Sequence, residues 1–478
     1  MTKKCTFPLP LRVVLAALAA AVVVMGCQSY QAKPLDSAAV ERTLAFPDSA
    51  ALRVQVSEFH HPILQPITID LADGLSPDEA AVLAVLTNPS LRAIRDRRAI
   101  ARAQLLQAGL LPNPQLASSL EVPTGGDTQG TVTALDLGVD WDVTALVTLS
   151  TRQDEEEAAL AGVELDIAWQ EWQTAQAAKS GVYRLKGLNA QVDLAIELDE
   201  QMTENADRVG QAVTRGLRTR LDAVAAESAA NKAHARLLEV EMQAAQQRLE
   251  LAQLLGLEQG ADLRLQDDVR LPSQWSPPSE SEIVDGLEQR RLDLVALRRG
   301  YESQEAAVRK AILEQFPRIR IGPTAGRDTD NVEKVGFAVS IELPIFDRNQ
   351  AGIALEQATR QKLFDEYAAR VLAARSDITV LLGNAQFLNR RIAAAKAAES
   401  GLRKLVTGYR AAVEEGRADF LWYTDAMNDL ASQQLETLRL QQQLAETRAA
   451  LELASGLYSL DRAGEAPASM PTTQGGKE

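Results

Sequence analysis

The chain is short of the residues that most catalytic chemistry needs. Its 478 residues include two cysteines and three histidines, too few for a disulfide scaffold and poor material for a transition-metal site. Aromatic residues make up 4%. Alanine is abundant, which favours helices packed closely on small side chains. Positive charge is in deficit, with 50 Lys and Arg against 65 Asp and Glu, a net charge of −15 and a pI of about 4.9. That balance argues against nucleic acid as the main partner, because phosphate binding needs a basic surface. The sequence has no G-x-S-x-G, no H-E-x-x-H and no phosphate-cradling glycine loop, so it reads as a non-enzymatic protein without cofactor or metal. No apolar run reaches the length of a transmembrane helix. A mature chain that crosses a membrane must then do so as a closed β-barrel. What is present, 46% hydrophobic and 24% charged, is ordinary for a folded protein.

The N-terminus reads as an address. Residues 1–26 form a signal peptide, with Lys3, Lys4 and Arg12 ahead of an unbroken apolar run from Val13 to Val24. The run is too short to span a bilayer. It ends in Val24-Met25-Gly26-Cys27, which resembles the lipobox of bacterial lipoproteins. That resemblance makes Cys27 the lipidation site, and Gln28 in place of Asp favours sorting to the outer membrane. Cys5 departs with the signal and Cys27 is acylated, so no disulfide remains. Residues 27–70 are a periplasmic lead-in. His60 and His61 have no third ligand nearby and read as incidental surface histidines.

The rest of the chain repeats itself, with residues 71–271 and 272–462 forming two units of about 200 residues. Ser76-Pro77-Asp78-Glu79 corresponds to Ser279-Glu280-Ser281-Glu282, both S-x-x-E capping boxes. Leu91 pairs with Leu294, Pro114 with Pro317, Gly138 with Gly336, Gly216 with Gly416, Leu221 with Leu421 and Gly256 with Gly456. Each unit reads helix, strand, strand, long helix, helix. Residues 463–478 form a disordered tail.

The strands carry a period of two. Leu135, Leu137, Val139, Trp141 and Val143 alternate with Asp136, Gly138, Asp140, Asp142 and Thr144. In the second unit, Val335, Phe337, Val339, Ile341 and Leu343 alternate with Lys334, Gly336, Ala338, Ser340 and Glu342, and Ile319 and Ile321 with Arg318 and Arg320. Such a pattern fits a half-buried strand. The apolar face could enter a soluble core or turn to lipid in a barrel. The lipobox and the lack of further strands to build a soluble core favour the barrel.

After the strands come long proline-free stretches. Phe364, Tyr367, Val371, Ala374, Ile378, Leu381, Ala385, Leu388, Ile392 and Ala395 keep a 3-4 spacing, a coiled-coil seam. Beside it, Asp365, Arg370, Arg375, Arg390 and Arg391 read as a solvated face. In the first unit a helix is predicted from about Arg152 to Thr214, roughly 95 Å long. Helices over Pro89–Leu111 and Leu217–Leu255 together match its length, so the two are expected to stack end to end beside it.

Taken in order, these features resemble the TolC family of outer-membrane efflux proteins. The resemblance rests on Asn88-Pro89-Ser90-Leu91, on Pro114 and Pro317, on Leu343-Pro344-Ile345-Phe346-Asp347, and on the segments around Gly216 and Gly416. It implies a mainly α chain with a β-barrel part. Three chains would form a homotrimer with a 12-stranded outer-membrane barrel, continued by a periplasmic coiled-coil helical tube. The stoichiometry also has a physical warrant. Four strands cannot close around a pore, and eight would nearly fill their own interior. By resemblance, the partners are a periplasmic adaptor (membrane fusion) protein and an inner-membrane RND-type transporter. The implied function is passive conduction of substrates, drugs or metal cations, handed over by those partners, and within the family the segment Pro344 to Gln350 looks most like the heavy-metal branch. A periplasmic coiled-coil scaffold or adaptor lipoprotein is the rival reading, but it leaves the duplicated strands unexplained.

Three groups of residues are candidates for function. Asp136, Asp140, Asp142, Arg318, Arg320 and Glu342 would line the barrel lumen, or serve only as its solvated lining. Arg215, Gly216 and Leu217, with Glu415, Gly416 and Arg417, would be adaptor-contact tips, where each glycine also permits a tight turn. By resemblance, an acidic ring gates the tube past the second tip. Asp425 matches one such position. Trp422 departs from the other, leaving Asp419 as a nearby substitute and Asp222 as the match in the first repeat. For each acid, a hairpin-capping role is the alternative.

Overall fold

The computed structural model describes residues 29–47, 49–70, 72–257 and 263–458. The expected signal peptide, Cys27 and the expected C-terminal tail lie outside the described residues. The chain divides into two units, residues 1–45 and 46–478. The first contains helix α1 (Ser37–Leu44), whose N-terminus is capped by the Asp36 carboxylate accepting from the Ala39 N–H.

The second unit opens with α2 (Ser49–Ser57) and then carries the duplication. Repeat one is α3 (Pro77–Thr87), α4 (Pro89–Ala108), β1 (Gln115–Glu121), β2 (Ala134–Asp142), α5 (Ala145–Thr214) and α6 (Arg220–Leu254). Repeat two is α7 (Glu280–Val284), α8 (Leu287–Arg290), α9 (Leu292–Leu313), β3 (Ile319–Arg327), β4 (Glu333–Ile341), α10 (Gln350–Glu414) and α11 (Phe420–Ser455). Both predicted capping boxes form. Ser76 and Ser279 each accept from the N–H three residues on, and Glu79 and Glu282 reach back to the cap.

The four strands make one antiparallel sheet in the order β1-β2-β3-β4, so the hairpins of the two repeats pair side by side through β2 and β3. The register sets Trp141 opposite Ile321, Ile321 opposite Val339 and Leu137 opposite Ala325. Alternation then collects the apolar residues on one face. That face is bare in the single chain, with Phe337 65% and Val335 88% exposed. It is not the inner wall of a soluble sandwich. Pro323 sits in the inner strand β3, where a residue without an N–H weakens a ladder. The β2–β3 pairing skips Val139 and Asp140 opposite Gly322 and Pro323. At Gly322 a Cβ would lie 1.6 Å from the Val139 carbonyl oxygen, so only glycine permits the local approach.

The long helices are α5, of 70 residues, and α10, of 65. The first begins at Ala145, earlier than predicted. Val147, Thr148 and Thr151 lower the local helix propensity, but a turn in which Asp142 Oδ1 accepts from the Thr144 N–H starts the helix directly after β2. Helix α4 ends at Ala108, short of Leu111, where Gly109 closes it. The flanking helices are thus shorter than expected, and α3 also packs along α5. The predicted end-to-end arrangement holds, because the carbonyls that close α6 meet Thr87 and Asn88 at the start of α4.

The α10 seam buries Ala374, Ile378, Ala385, Leu388, Ile392 and Ala395 against α11 residues Leu440, Leu444 and Leu451. Phe364, at its start, stays exposed. The polar residues beside it are not merely solvated. Arg370 pairs with Asp293, Arg375 with Glu288 and Arg391 with Glu436, each at 2.9 Å or less. These pairs tie α10 to its neighbours, a link that the spacing along one helix does not reveal. Around Trp172 a second cluster gathers Ala81, Val85, Leu91, Trp169 and Leu292 from both repeats.

Candidate functional site

The polar face of the sheet brings Asp136, Asp140, Asp142 and Arg320 together by strand alternation. Asp142 stands opposite Arg320 in register, and an Arg320 guanidinium nitrogen lies 3.5 Å from Asp140 Oδ2. Arg318 and Glu342 flank the strands. The Glu342 N–H donates to the Arg318 carbonyl at 3.0 Å, extending the β3–β4 ladder and placing both residues in register with the polar face. Gly138, Gly322, Gly326 and Gly336 share this face. At Gly326 the missing side chain makes room for the Asp136 carboxylate, which a Cβ there would overlap.

At the far end of the helices, two hairpins close in the same way. Gly216 takes φ +71 and Gly416 φ +70. Leu217 N–H donates back to Ala212 O and Gly216 N–H to Val213 O, while Arg417 and Gly416 make the equivalent bonds to Ala412 O and Val413 O. These are Schellman closures, which require a left-handed residue after the helix. A Cβ at either glycine would meet nothing within 4 Å, so the demand is conformational. Arg215 is the residue at which α5 ends, and Leu217 beside it is 72% exposed. Glu415 and Arg417 form an ion pair across Gly416.

The three acids proposed for a gate occupy different places. Asp222 completes a capping box with Thr219, accepting from its N–H at 2.9 Å. The Thr219 backbone and hydroxyl hold the Asp222 carboxyl below the usual range. Asp419 caps α11 by accepting from the Leu421 N–H at 3.2 Å. Asp425 stands exposed one turn further along α11, on the same side as Trp422, whose ring lies 6.4 Å from that of Tyr409.

Two polar centres escaped the sequence reading. In the first, Lys179 of α5 is almost fully buried and donates to Glu452 of α11 at 2.8 Å and to Asp78 of α3 at 2.9 Å. Burial works against the Lys179 ammonium, but the two carboxylates outweigh it and raise its pKa. Burial pushes the Glu452 carboxyl up against the pull of Lys179. The pair joins the two repeats. A faint signal existed, a lone lysine after Ala175 and Ala178 on a face shared with Trp172, but its partner lies 273 residues away.

The second is His61. It is not a surface residue: its side chain is 0% exposed, whereas His60 stays exposed. The surrounding segment is irregular rather than a strand, and it packs on the Trp172 cluster. Among the described residues no group of His, Cys, Asp and Glu could hold a metal ion, and no helix is long and apolar enough to cross a membrane.

A four-stranded sheet with a bare apolar face, joined to two pairs of long helices, defines a fold class. Solved structures of this class share the fold. VceC of Vibrio cholerae matches with a TM-score of 0.68 at 19% identity, covering 80% of this chain and 96% of that one. The open-state MtrE channel of Neisseria gonorrhoeae matches with a TM-score of 0.65 at 18% identity, covering 84% and 97%. A curated relative, the cobalt-zinc-cadmium resistance protein CzcC of Cupriavidus metallidurans, is 25% identical over 375 residues, 76% of this chain and 85% of that protein. Residues 283–457 match the outer membrane efflux protein family, and the other repeat duplicates that segment in structure.

Proposed function

We propose that the chain is the outer-membrane conduit of a tripartite efflux system for divalent metal cations, with residues 71–271 and 272–462 as its two repeats. The observation that carries this reading is the sheet. Among the described residues β1 pairs only with β2 and β4 only with β3, and an open edge is not tolerated in lipid. Edge-to-edge pairing of three copies satisfies every strand and gives twelve, enough to enclose water. The bare apolar face then meets lipid, and Asp136, Asp140, Asp142, Arg318, Arg320 and Glu342 line the lumen. Substrate passes passively, handed over by an inner-membrane RND-type transporter and a periplasmic adaptor that docks at the two glycine hairpins. Asp425 is the gate acid; Asp222 contributes through the capping box of α6, and Asp419 as the cap of α11, the helix that carries Asp425. Cys27 anchors the chain by its lipid. The metal class is favoured by likeness to a cobalt-zinc-cadmium resistance protein.

The test is native mass spectrometry of the mature chain in detergent, followed by conductance in planar bilayers. A trimer with cation-preferring conductance is the expected result. A monomer, or an open-ended series of oligomers, would overturn the barrel.

A further inference from the structure

The segment ahead of α3 is held to the helices by one imidazole. His61 Nδ1 lies 3.0 Å from the backbone nitrogens of both Ile63 and Leu64, and it accepts from both. The ring proton must therefore sit on Nε2, which donates to the Ala168 carbonyl in α5 at 2.9 Å. The ring stacks on Phe59 with centroids 6.2 Å apart and planes 8° from parallel. Phe59, Ile63 and Leu64 in turn pack on the cluster around Trp169 and Trp172. A single neutral side chain thus folds its own segment and fastens it to α5.

This arrangement works only with an unprotonated Nδ1. An imidazolium has no acceptor. Protonation would leave the N–H groups of Ile63 and Leu64 without an acceptor and facing a third donor. Glu171 of α5, with Oε2 3.9 Å from Nε2, is the nearby anion that could compensate. It is already engaged, its other oxygen accepting from Arg95 of α4 at 2.6 Å, and Arg95 also donates to Val85 O of α3. From α9's N-terminal side, Arg291 lies over the Trp169 ring at 5.0 Å. His60, the neighbour on the segment itself, points to solvent and bonds Glu58 O. Burial pushes His61 below the ordinary histidine value and Arg95 adds to this, against the Ala168 carbonyl and Glu171.

We propose that His61 is an acid-released latch, and that its protonation frees residues 59–65 from α5 and uncovers Trp169 and Trp172. The sign follows from linkage. The released segment binds a proton at the ordinary value near 6.5 and the docked one resists it, so docking is at full strength above that pH and weakens as pH falls below it. One proton taken up on release changes the opening equilibrium by at most about tenfold per pH unit.

The test is amide hydrogen exchange on the full-length mature protein in detergent, from pH 7.5 to 5, corrected for intrinsic exchange rates. Opening of 59–65 should increase below pH 6.5, by up to about tenfold per unit, while the α10 seam stays protected. In His61→Gln, whether its segment docks or not, the pH dependence should vanish. Glu171→Gln leaves the latch in place but removes the anion nearest the ring, so the docked ring resists protonation further: the onset should stay near pH 6.5 while the rise in opening continues to lower pH than in the wild type. A wild-type profile flat across this range, or an H61Q profile with the wild-type slope, would overturn the latch.

Discussion

The side-chain amide of Asn88 donates to the carbonyl of Leu254 across 2.9 Å, joining residues 166 positions apart. The same side chain uses its oxygen to cap α4, accepting from Ser90 and Leu91 N–H. Thr87 beside it donates to Leu255 O. The start of one helix therefore satisfies the orphan carbonyls of another, which fuses α4 and α6 into a continuous wall along α5. Gly256 makes the approach possible, since a Cβ there would sit 2.6 Å from Thr87 O.

Replacing Asn88 by Ala removes both functions and should lower stability by about 1–3 kcal/mol. Asn88→Asp keeps the cap but loses the donor and sets a carboxylate against a carbonyl. If the junction matters, Asp should be no better than Ala in thermal denaturation followed by helical circular dichroism. Full recovery with Asp would reduce Asn88 to an ordinary cap.

The buried Lys179–Glu452 pair should behave asymmetrically. Lys179→Met leaves the buried Glu452 with only Arg448, 3.7 Å from its Oε1, as a cationic partner, and should cost up to about 3–5 kcal/mol. Combining it with Glu452→Leu should recover most of that loss. Denaturant midpoints of the two single variants and the double variant check this.

Gating and capping at the second tip can be told apart. Asp419→Ala should lower tip stability by roughly 1 kcal/mol through the lost cap, visible as faster local hydrogen exchange at α11's first turn. Asp425→Ala should leave that exchange unchanged and raise resting conductance. Unchanged conductance in Asp425→Ala would remove it from the gate.

The hairpin glycines should tolerate Asn far better than Val, because a β-branched residue at φ near +70 is strained by about 1–2 kcal/mol or more. Leu217→Asp changes no backbone demand. It should weaken adaptor binding in a purified pull-down while the thermal midpoint stays put.

Phe337→Arg places a charge in the middle of the bare strand face and should cost about 2–4 kcal/mol of membrane insertion if that face meets lipid. Equal insertion of wild type and variant into liposomes would contradict the assignment.

The amino-acid sequence by itself determined what is periodic or local. Ser76 and Ser279 announce helix starts within four residues, Gly216 and Gly416 announce the turns, and strand alternation separates Asp136, Asp140 and Asp142 from Leu137, Val139 and Trp141. Each depends on contacts with near neighbours, which leave a pattern in the order of residues. Only the tertiary structure decided what depends on distant partners. The burial of Lys179 between Asp78 and Glu452, the ion pairs of Arg370 and Arg375, and the enclosure of His61 under α5 share that character. In each case the deciding group lies tens to hundreds of residues away, and a lone lysine or histidine carries no mark of the neighbour that folding supplies. The physical reason is the short range of hydrogen bonds and desolvation, set by proximity in space that periodicity along the chain does not encode.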